Sequence, residues 1–371
     1  MLKVGITGQN GFIGYHLYNN LLLNTEKYKI IDFNRDYFLS QELMDSFISN
    51  CDIIVHLAAI NRDNDPNIIY KTNIELTKSI VDSLYRTKFN GLLVFASSTQ
   101  EELENSFGKS KKEARLLFEN WSENSCGNFK ALIIPNIFGP FCKPNYNSVI
   151  STFSHNLINN VESVINIDNT LKLLYIDDLI DVIIKTFSEQ SGCVINIKNK
   201  YEYKVSELLD ILTFFKNTYI IKGEIPSLSS DFNITLFNTF RSYINHQLFF
   251  PHKYNNNIDH RGNFVEIVRF NSSGQVSYSI TKPGITRGNH FHTRKIERFS
   301  VIKGNAILQL RKVGSSIIQK YFINGENPSF IDIPIWYIHN IVNIGIDDLY
   351  TIFWINEAYN PEDADTYYEN I

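Results

Sequence analysis

The sequence changes its pattern near residue 245, and this change limits what the chain can fold into. Before it, short apolar runs such as 2–6, 29–33 and 92–96 alternate with stretches of helical periodicity. Short continuous apolar strands separated by helices are typical of a parallel sheet that is covered on both faces. After residue 245, helical periodicity gives way to closely spaced strands, which are typical of an antiparallel sandwich or barrel.

Two domains follow from this change. The 371 residues exceed what one ordinary domain needs, and a hydrophobic content of 43% allows a full core in each of two. A polar stretch at 255–257 follows Phe250-Pro251, and we place the boundary at 243–252. We expect an α/β, doubly wound parallel sheet over 1–245 and an all-β domain over 252–371.

Charge and hydropathy exclude several classes of protein. The net charge is −4 and no long run of like charges occurs, so the sequence predicts neither a nucleic-acid partner nor a membrane-surface helix. The apolar runs are far shorter than the ~20 residues that a membrane span needs. The four cysteines are scattered, without metal-ligand or redox spacing, which fits a reducing compartment. We therefore expect a cytoplasmic protein.

A glycine-rich turn follows the first predicted strand and opens the first helix. Its glycines have the spacing G-x-x-G-x-x-G, in the strand–turn–helix context of a dinucleotide-binding Rossmann-type sheet. Glycines there allow a tight turn and let a pyrophosphate approach the helix N-terminus. The alternative is a simple glycine turn. The predicted cofactor contacts in this loop are Thr7, Gly8, Gly11, Phe12, Ile13 and Gly14.

Several later segments resemble the extended short-chain dehydrogenase/reductase family in their order and spacing. The segment 52–59 is similar to the family's strand-end motif, Asn73 to its central-helix Asn, 97–99 to its catalytic hydroxyl segment and 175–178 to a later motif. The resemblance implies further site residues beside the glycine loop. These are the cofactor contacts Leu57, Ala58, Ala59, Lys111, Pro135 and Asn136, and the catalytic candidates Ser98, Thr99 and Lys111.

The end of the second strand bears on the choice between NAD and NADP. An acidic residue there would bind a ribose hydroxyl, whereas an arginine would accept the 2′-phosphate of NADP. Asp32 comes slightly early and Arg35 follows. We favour NADPH with Arg35 as the phosphate partner. The alternative is a solvated surface arginine.

One departure from the family concerns its catalytic Tyr-x-x-x-Lys. Lys111 is present, but Phe107 stands at the tyrosine position and has no hydroxyl to donate a proton to a ketone. Losing a general acid typically costs about 10²–10⁴-fold in rate. The family's arginine before Pro135 is also missing, with Ile133 in that region. Either the reductase is weak or inactive, or Lys111, Ser98 or a water supplies the proton.

The C-terminal part contains G-x5-H-x-H-x4-E-x6-G, starting at Gly284, and this pattern is similar to the first motif of cupin (jelly-roll) barrels. His290 and His292 are two positions apart on a strand and therefore face the same side. Glu297 is expected on the next strand after a hairpin turn, and His339 on a later one. Three imidazoles and a carboxylate suit a divalent metal. Zinc is our first choice, with iron, manganese or nickel as alternatives.

A metal bound by these residues could take part in the reaction or only stabilise the fold. A bound ion could stabilise the barrel without reacting, since a fixed metal contributes folding energy in any case.

The segment 259–266 resembles the opening motif of sugar-nucleotide 3,5-epimerases, in which Arg261 could hold a diphosphate. His260 and Lys282 are candidate bases. A barrel-rim salt bridge is the alternative for these residues.

Taken end to end, the chain resembles the CapF family of capsular polysaccharide synthesis enzymes, most specifically at 142–150, 282–290 and 365–367. The resemblance implies a bifunctional homodimeric enzyme on the route to UDP-N-acetyl-L-fucosamine. Its zinc cupin would epimerise C3 of a UDP-linked 2-acetamido-2,6-dideoxy-4-hexulose. Its reductase domain would then reduce the C4 ketone with NADPH to a UDP-2-acetamido-2,6-dideoxy-L-talose.

Two alternatives stay open. The chain could be an epimerase alone, since the metal-ligand pattern is intact while Phe107 puts reduction in doubt. It could also be a non-catalytic sugar-binding or scaffold protein with a degenerate dehydrogenase domain. A C4 epimerase or dehydratase is disfavoured, because those reactions need a proton-transfer group at the same position.

Overall fold

The computed structural model describes residues 1–188, 193–254, 274–357 and 360–371, together with residue 267 and the backbone of 256–259 and 262–265. Within these residues, every helix falls short of the length and apolar character that a membrane crossing would require.

The described chain forms two compact units. Unit 1 comprises residues 1–152 and 165–205, and unit 2 comprises 153–164 and 206–371. The boundary expected at 243–252 coincides with the change from helices to strands. The compact units divide at other positions because residues 206–249, although helical, pack with the strands that follow them.

Unit 1 is built on a parallel sheet with helices around it. The strands in chain order are β1 (Leu2–Thr7), β2 (Tyr28–Ile31), β3 (Ile53–His56), β4 (Leu92–Ser98), β5 (Asn128–Ile134), β6 (Asn136–Phe138), β7 (Thr170–Tyr175), β8 (Val194–Asn196) and β9 (Tyr201–Lys204). The helices are α1 (Phe12–Leu22), α2 (Gln41–Ser49), α3 (Pro66–Arg86), α4 (Ser106–Glu123), α5 (Val149–Ile158), which runs on into unit 2, and α6 (Ile176–Lys185).

The six-stranded sheet has the order β2-β1-β3-β4-β5-β8, and its described strand pairs are all parallel. A smaller sheet has the order β6-β7-β9. Strand β3 is buried along its whole length, as expected for a sheet with both faces covered. The carboxyl ends of β1, β3 and β4 therefore lie side by side, where ligands bind in sheets of this kind.

Unit 2 combines helices with two antiparallel sheets. Its helices are α7 (Val205–Phe215), α8 (Asp231–Arg241) and α9 (His246–Phe249). Its strands are β10 (His252–Lys253), β11 (Asn256–Asp259), β12 (Gly262–Val265), β13 (Gln275–Thr281), β14 (Thr286–Phe291), β15 (Glu297–Lys303), β16 (Asn305–Lys312), β17 (Ile318–Asn324), β18 (Ser329–Ile333), β19 (Tyr337–Asn343), β20 (Leu349–Ile355) and β21 (Tyr367–Tyr368).

The two five-stranded sheets have the orders β10-β18-β15-β20-β13 and β17-β16-β19-β14-β21, and β11 pairs with β12. Apolar side chains of both sheets, such as Ile331 and Leu308, share one core cluster. The predicted fold class, a Rossmann-type parallel sheet followed by an all-β domain, is thus confirmed.

Buried polar contacts join the helical segment 206–249 to the strands. The hydroxyl of Tyr219 donates to Asp332 at 2.5 Å, and Asp332 is bound bidentately by Arg298 at 2.8 and 2.9 Å. Arg298 also donates to the carbonyl of Gly223, and Arg241 to that of Ile333. Removing one member of a buried charged pair costs several kcal/mol, because the other charge is left without a partner. These contacts explain why the helices belong to unit 2.

Candidate cofactor and metal sites

Two glycines of the loop between β1 and α1 lie where the Cβ of any other residue would clash with the backbone. Gly8 has a φ of +78°, and a Cβ there would lie 2.8 Å from the backbone nitrogen of Ala58. A Cβ on Gly14 would lie 2.2 Å from the carbonyl oxygen of Gly8. The amide of Gly11 donates to that same carbonyl at 2.9 Å. The close packing leaves the start of α1 open to a ligand, as in pyrophosphate-binding loops.

A cavity of 460 Å³ opens beside this loop at the carboxyl ends of the strands. Most of the predicted unit 1 residues line it. Those that do are Gly8, Gly11, Phe12, Ile13, Gly14, Leu57, Ala59, Ser98, Phe107, Lys111, Pro135 and Asn136. Asn61, Gln100 and Tyr146 also line the cavity. Sequence reasoning gave none of them a role, although Tyr146 lies in the segment 142–150.

Two predicted residues support the strand ends beside the cavity and do not line its wall. Thr7 is fully buried; its hydroxyl pairs with His56 Nδ1 at 2.7 Å and accepts from the amide of Ala58. Thr99 begins the 3₁₀ turn that follows β4. Both therefore shape the strand ends and do not line the described cavity.

Arg35 lies on the surface just after β2 and begins a 3₁₀ turn. Asp32 directly follows the last residue of β2 and is also exposed. Neither side chain lines the described cavity, so the sequence-based choice between NADPH and NADH stays a prediction.

Replacing Arg35 with alanine tests this choice. If Arg35 binds the 2′-phosphate, its loss removes charge-assisted hydrogen bonds of about 1.5–3 kcal/mol each and raises KM for NADPH roughly 10- to 100-fold. KM for NADH should stay unchanged. Asp32→Ala is the matched control, and it should affect NADH more than NADPH. An Arg35→Ala variant with an unaltered KM for NADPH would assign the arginine to the solvated surface.

Lys111 is buried on α4, and its Nζ donates to the carbonyl of Ala96 at 2.7 Å. The Nζ lies 4.7 Å from the ring centroid of Phe95 and 5.7 Å from that of Phe107. Burial lowers the pKa of Lys111 to about 8, with the charge of Glu101 acting in the opposite direction. The ammonium form therefore predominates at neutral pH. Phe107 is half-buried and presents its ring where the family has a phenol.

The hydroxyl segment after β4 is engaged in local structure. Ser98 accepts from the amide of Gln100 at 3.2 Å and so caps the 3₁₀ turn. The Ser97 hydroxyl donates to Glu101, which also binds Arg115 at 2.9 Å. Ser98 thus keeps its own hydroxyl proton for another acceptor.

Asn73, the predicted central-helix residue, is buried on α3 and binds both sides of the site. Its Nδ2 donates to Ser110 Oγ at 3.0 Å and to the carbonyl of Ile60 at 2.9 Å. Its Oδ1 accepts from the Ile60 amide at 2.8 Å. It therefore holds the loop after β3 against α4, which carries Lys111.

The four predicted metal ligands come together in unit 2, with their ligand atoms all within 4.8 Å of one another. His290 is on β14 and pairs across the sheet with His339 on β19. His292 follows the end of β14. Glu297 begins β15, which belongs to the other sheet and pairs with β18 and β20. The expectation of a hairpin between the strands of His292 and Glu297 is therefore wrong. The carboxylate faces the imidazoles from the opposite sheet.

The inner atoms of this cluster lack ordinary partners. Within the part of the chain that the structure describes, His292 Nε2, His339 Nε2 and Glu297 Oε2 are buried and make no hydrogen bond of good geometry. Glu297 Oε2 lies 3.3 and 3.0 Å from these two nitrogens. Buried polar atoms without partners are costly. Their convergence, and the N₃O donor set, fit a divalent ion.

Electrostatics keep His290 and Glu297 in the form a metal needs. Burial, followed by the charges of His339 and His292, lowers the pKa of His290 to about 4, so its imidazole is neutral at neutral pH. Burial alone raises the pKa of Glu297, but the His292 and His339 imidazoles outweigh it and hold the pKa well below its usual range. A neutral imidazole and an ionised carboxylate are both ligand forms.

A cavity of 160 Å³ adjoins the cluster, lined by His290, Glu297 and His339. It also contains Ser279, Arg287 and Asn340, which sequence reasoning missed because they have no characteristic spacing. Arg287 donates to Thr281 Oγ1 at 3.0 Å and to the carbonyl of Ile280 at 3.1 Å. This cavity is the candidate site for a substrate beside the metal.

The two candidate bases do not appear in this cavity. Lys282 is 75% exposed, pairs with Asp348 at 2.8 Å and is not among the described residues that line this cavity. Its role as a base stays a prediction. His260 and Arg261 lie outside the described residues.

Comparisons with known protein families match both parts of the chain. Residues 4–197 match the NAD dependent epimerase/dehydratase family. Residues 257–367 match the polysaccharide biosynthesis C-terminal domain.

Similar individual proteins point in the same direction. The UDP-2-acetamido-2,6-beta-L-arabino-hexul-4-ose reductase of Pseudomonas aeruginosa is 31% identical over 99% of this chain and 98% of its own length. A crystal structure of the capsular polysaccharide assembling protein CapF from Staphylococcus aureus is 32% identical, covers 100% of both chains and has a TM-score of 0.63. The spore coat polysaccharide biosynthesis protein SpsL of Bacillus subtilis is 27% identical over 29% of this chain and 78% of its own length.

Proposed function

This chain belongs to the NAD dependent epimerase/dehydratase family and to the family of the capsular polysaccharide assembling protein CapF, and from this we propose what each unit does. It is an enzyme that modifies a nucleotide sugar for polysaccharide synthesis. We propose a UDP-linked 2-acetamido-2,6-dideoxy-4-hexulose as the substrate, epimerised at C3 and then reduced at C4 to a UDP-2-acetamido-2,6-dideoxy-L-talose. The end-to-end similarity to a UDP-sugar reductase supports this reading.

Epimerisation is assigned to unit 2, and the convergence of His290, His292, Glu297 and His339 is the observation that carries it. Zinc bound by these residues would polarise a substrate carbonyl, which makes the neighbouring C–H more acidic. The adjoining cavity offers Arg287 as a cation for the diphosphate and Asn340 as a polar contact for the sugar. Other than the ligands, its described lining contains no histidine, lysine or carboxylate. We therefore keep His260 as the proposed proton-transfer base.

Reduction is assigned to unit 1. The family is NAD dependent, so the cofactor is a nicotinamide dinucleotide, and NADPH is our proposal. The glycine loop would bind the pyrophosphate at the start of α1. Lys111, charged at neutral pH, would orient the nicotinamide ribose and stabilise negative charge that develops on the ketone oxygen. With Phe107 at the phenol position, the proton would come from Lys111, Ser98 or a water.

Two signals from one incubation test this function. Zinc-loaded protein with the 4-keto substrate in deuterated water should incorporate deuterium at C3, and added NADPH should be oxidised. Lys111→Met should abolish NADPH oxidation but leave C3 exchange intact. His339→Ala should abolish exchange while cofactor binding persists. Absence of exchange in the zinc-loaded wild type would reject the enzymatic assignment of unit 2 and favour a sugar-binding or scaffold role.

Phe107 favours a second candidate, an epimerase without reductase activity. In this case C3 exchange proceeds at full rate, NADPH binds, and its near-ultraviolet absorbance stays constant. Coupled turnover of NADPH at a rate similar to that of exchange would exclude this candidate.

A further inference from the structure

The segment 360–371, called the tail below, contains a motif, 365–367, that the proposed chemistry leaves without a role. Asp365 in this motif is 5% exposed, although it lies far from the metal ligands in sequence. Buried carboxylates are rare unless their oxygens are satisfied. The partners of Asp365 therefore indicate what it does.

The carboxylate of Asp365 binds three of the four residues that connect two metal ligands. One oxygen accepts from the amide of Thr293 at 3.0 Å and from its hydroxyl at 2.7 Å. The other accepts from the amides of Arg294 at 3.1 Å and Lys295 at 2.9 Å. The loop 293–295 links His292 to Glu297, so its conformation sets the separation of these ligands.

The backbone carbonyl of Asp365 contacts a ligand directly. It accepts a hydrogen bond from His292 Nδ1. Because a carbonyl can only accept, Nδ1 carries the proton, so the neutral imidazole of His292 has its lone pair on Nε2. Nε2 is the atom that lies 3.3 Å from Glu297 within the cluster. One residue thus fixes both the tautomer of His292 and the loop that follows it.

Other parts of the tail hold Asp365 in place. Strand β21 pairs with β14, with Tyr367 opposite Phe291 and Tyr368 opposite His290. The rings of Phe291 and Tyr367 stack at 5.3 Å between centroids. Lys295 Nζ donates to the carbonyl of Ala364 at 2.7 Å. The tail therefore lies along the strand that carries His290.

We propose that Asp365 is a positioning residue for the metal site, acting through His292 and the loop 293–295. Partners that orient a metal-bound histidine typically contribute 10- to 100-fold to metal affinity. The inference rests on the proposed metal site. It assigns to the tail a function in ligand geometry beyond its contribution to packing.

Asp365→Asn is the decisive variant, since it keeps the size of the side chain. Its amide NH₂ cannot accept, so two of the four donors on loop 293–295 lose their partner. Competition with a chromophoric chelator should give a zinc Kd about 10- to 100-fold weaker than that of the wild type. Cobalt(II) substitution should also show shifted visible bands, because the ligand geometry changes.

Glu369→Gln is the matched control on the same tail. Glu369 binds Arg311 at 2.6 Å on the surface and touches none of residues 292–295. Its zinc affinity and cobalt spectrum should match the wild type. Equal losses in Asp365→Asn and Glu369→Gln would show general tail docking and overturn the positioning role.

If Asp365→Asn does not fold, Thr293→Ala provides the test instead. It removes the 2.7 Å hydroxyl bond to Asp365 and the side-chain contact of that hydroxyl with Tyr367, so zinc affinity should fall roughly two- to tenfold with folding intact. Wild-type affinity in Thr293→Ala or Asp365→Asn overturns the proposal while leaving the metal site standing. A wild-type protein that binds no zinc overturns the metal site itself, so the two failures are distinguishable.

Discussion

Replacing His290 with alanine is expected to weaken zinc binding about a hundredfold and to remove most of the zinc-dependent stability of unit 2. A structural zinc site contributes about 10–16 kcal/mol in total, so each of four ligands accounts for on the order of 3 kcal/mol, or about a hundredfold in Kd. Zinc at a thousand times Kd stabilises the native state by about 4 kcal/mol, and at ten times Kd by about 1.4 kcal/mol. Zinc should therefore raise the variant's Tm roughly 5–10 °C less than it raises that of the wild type.

Metal content by mass spectrometry and Tm with and without a chelator measure this directly. His339→Ala should behave like His290→Ala, since both imidazoles join the cluster. His252→Ala is the control in the same unit: its ring packs on Phe249 and Phe330, so stability should fall while metal content stays full. Full occupancy in both ligand variants would refute the ligand assignment.

Phe107→Tyr is expected to raise the rate of NADPH oxidation with the 4-keto substrate, by up to about 10²–10⁴-fold. The ring already lines the cofactor cavity, and its centroid lies 5.7 Å from Lys111 Nζ. A phenol there gains a hydroxyl that can donate a proton, and the nearby ammonium makes that proton more acidic. C3 exchange, which we assign to unit 2, should not change.

Two further experiments separate the hydroxyl from other effects. Phe107→Leu removes the ring without adding a donor and should not accelerate reduction. In Phe107→Tyr the gain should fall as pH rises through about 8, because Lys111 then loses the charge that assists the phenol. An unchanged rate in Phe107→Tyr would mean that the proton has another source, or that the site is also impaired near Ile133.

The features that the sequence predicted well depend on short spacings. The glycine loop occupies eight consecutive residues, and His290 and His292 follow the two-residue period of a strand. The alternation of strands and helices in unit 1 and the succession of strands after residue 250 could be predicted for the same reason. The opposing-sheet position of Glu297 could not, because a turn between strands can stay in one sheet or cross to the other.

Contacts between residues far apart in the sequence explain the remaining differences between the predictions and the structure. Lys282, a candidate base, pairs with Asp348, 66 positions later. Asp365 contacts His292 across 73 positions, and no periodicity links the two. The first domain was predicted to extend to residue 245, yet Tyr219 binds Asp332 across 113 positions. Such pairings depend on tertiary packing, which a single sequence does not display.

The chain passes between its two compact units more than once, since residues 153–164 belong to one unit and both flanking stretches to the other. A single recombination crossover therefore cannot exchange either unit whole. A junction near 250 would part the strands from the helices that pack on them, and a junction at 205 would leave 153–164 behind. A laboratory chimaera that keeps each unit intact needs junctions at 152, 164 and 205, and gene shuffling is expected to transfer this chain as one piece.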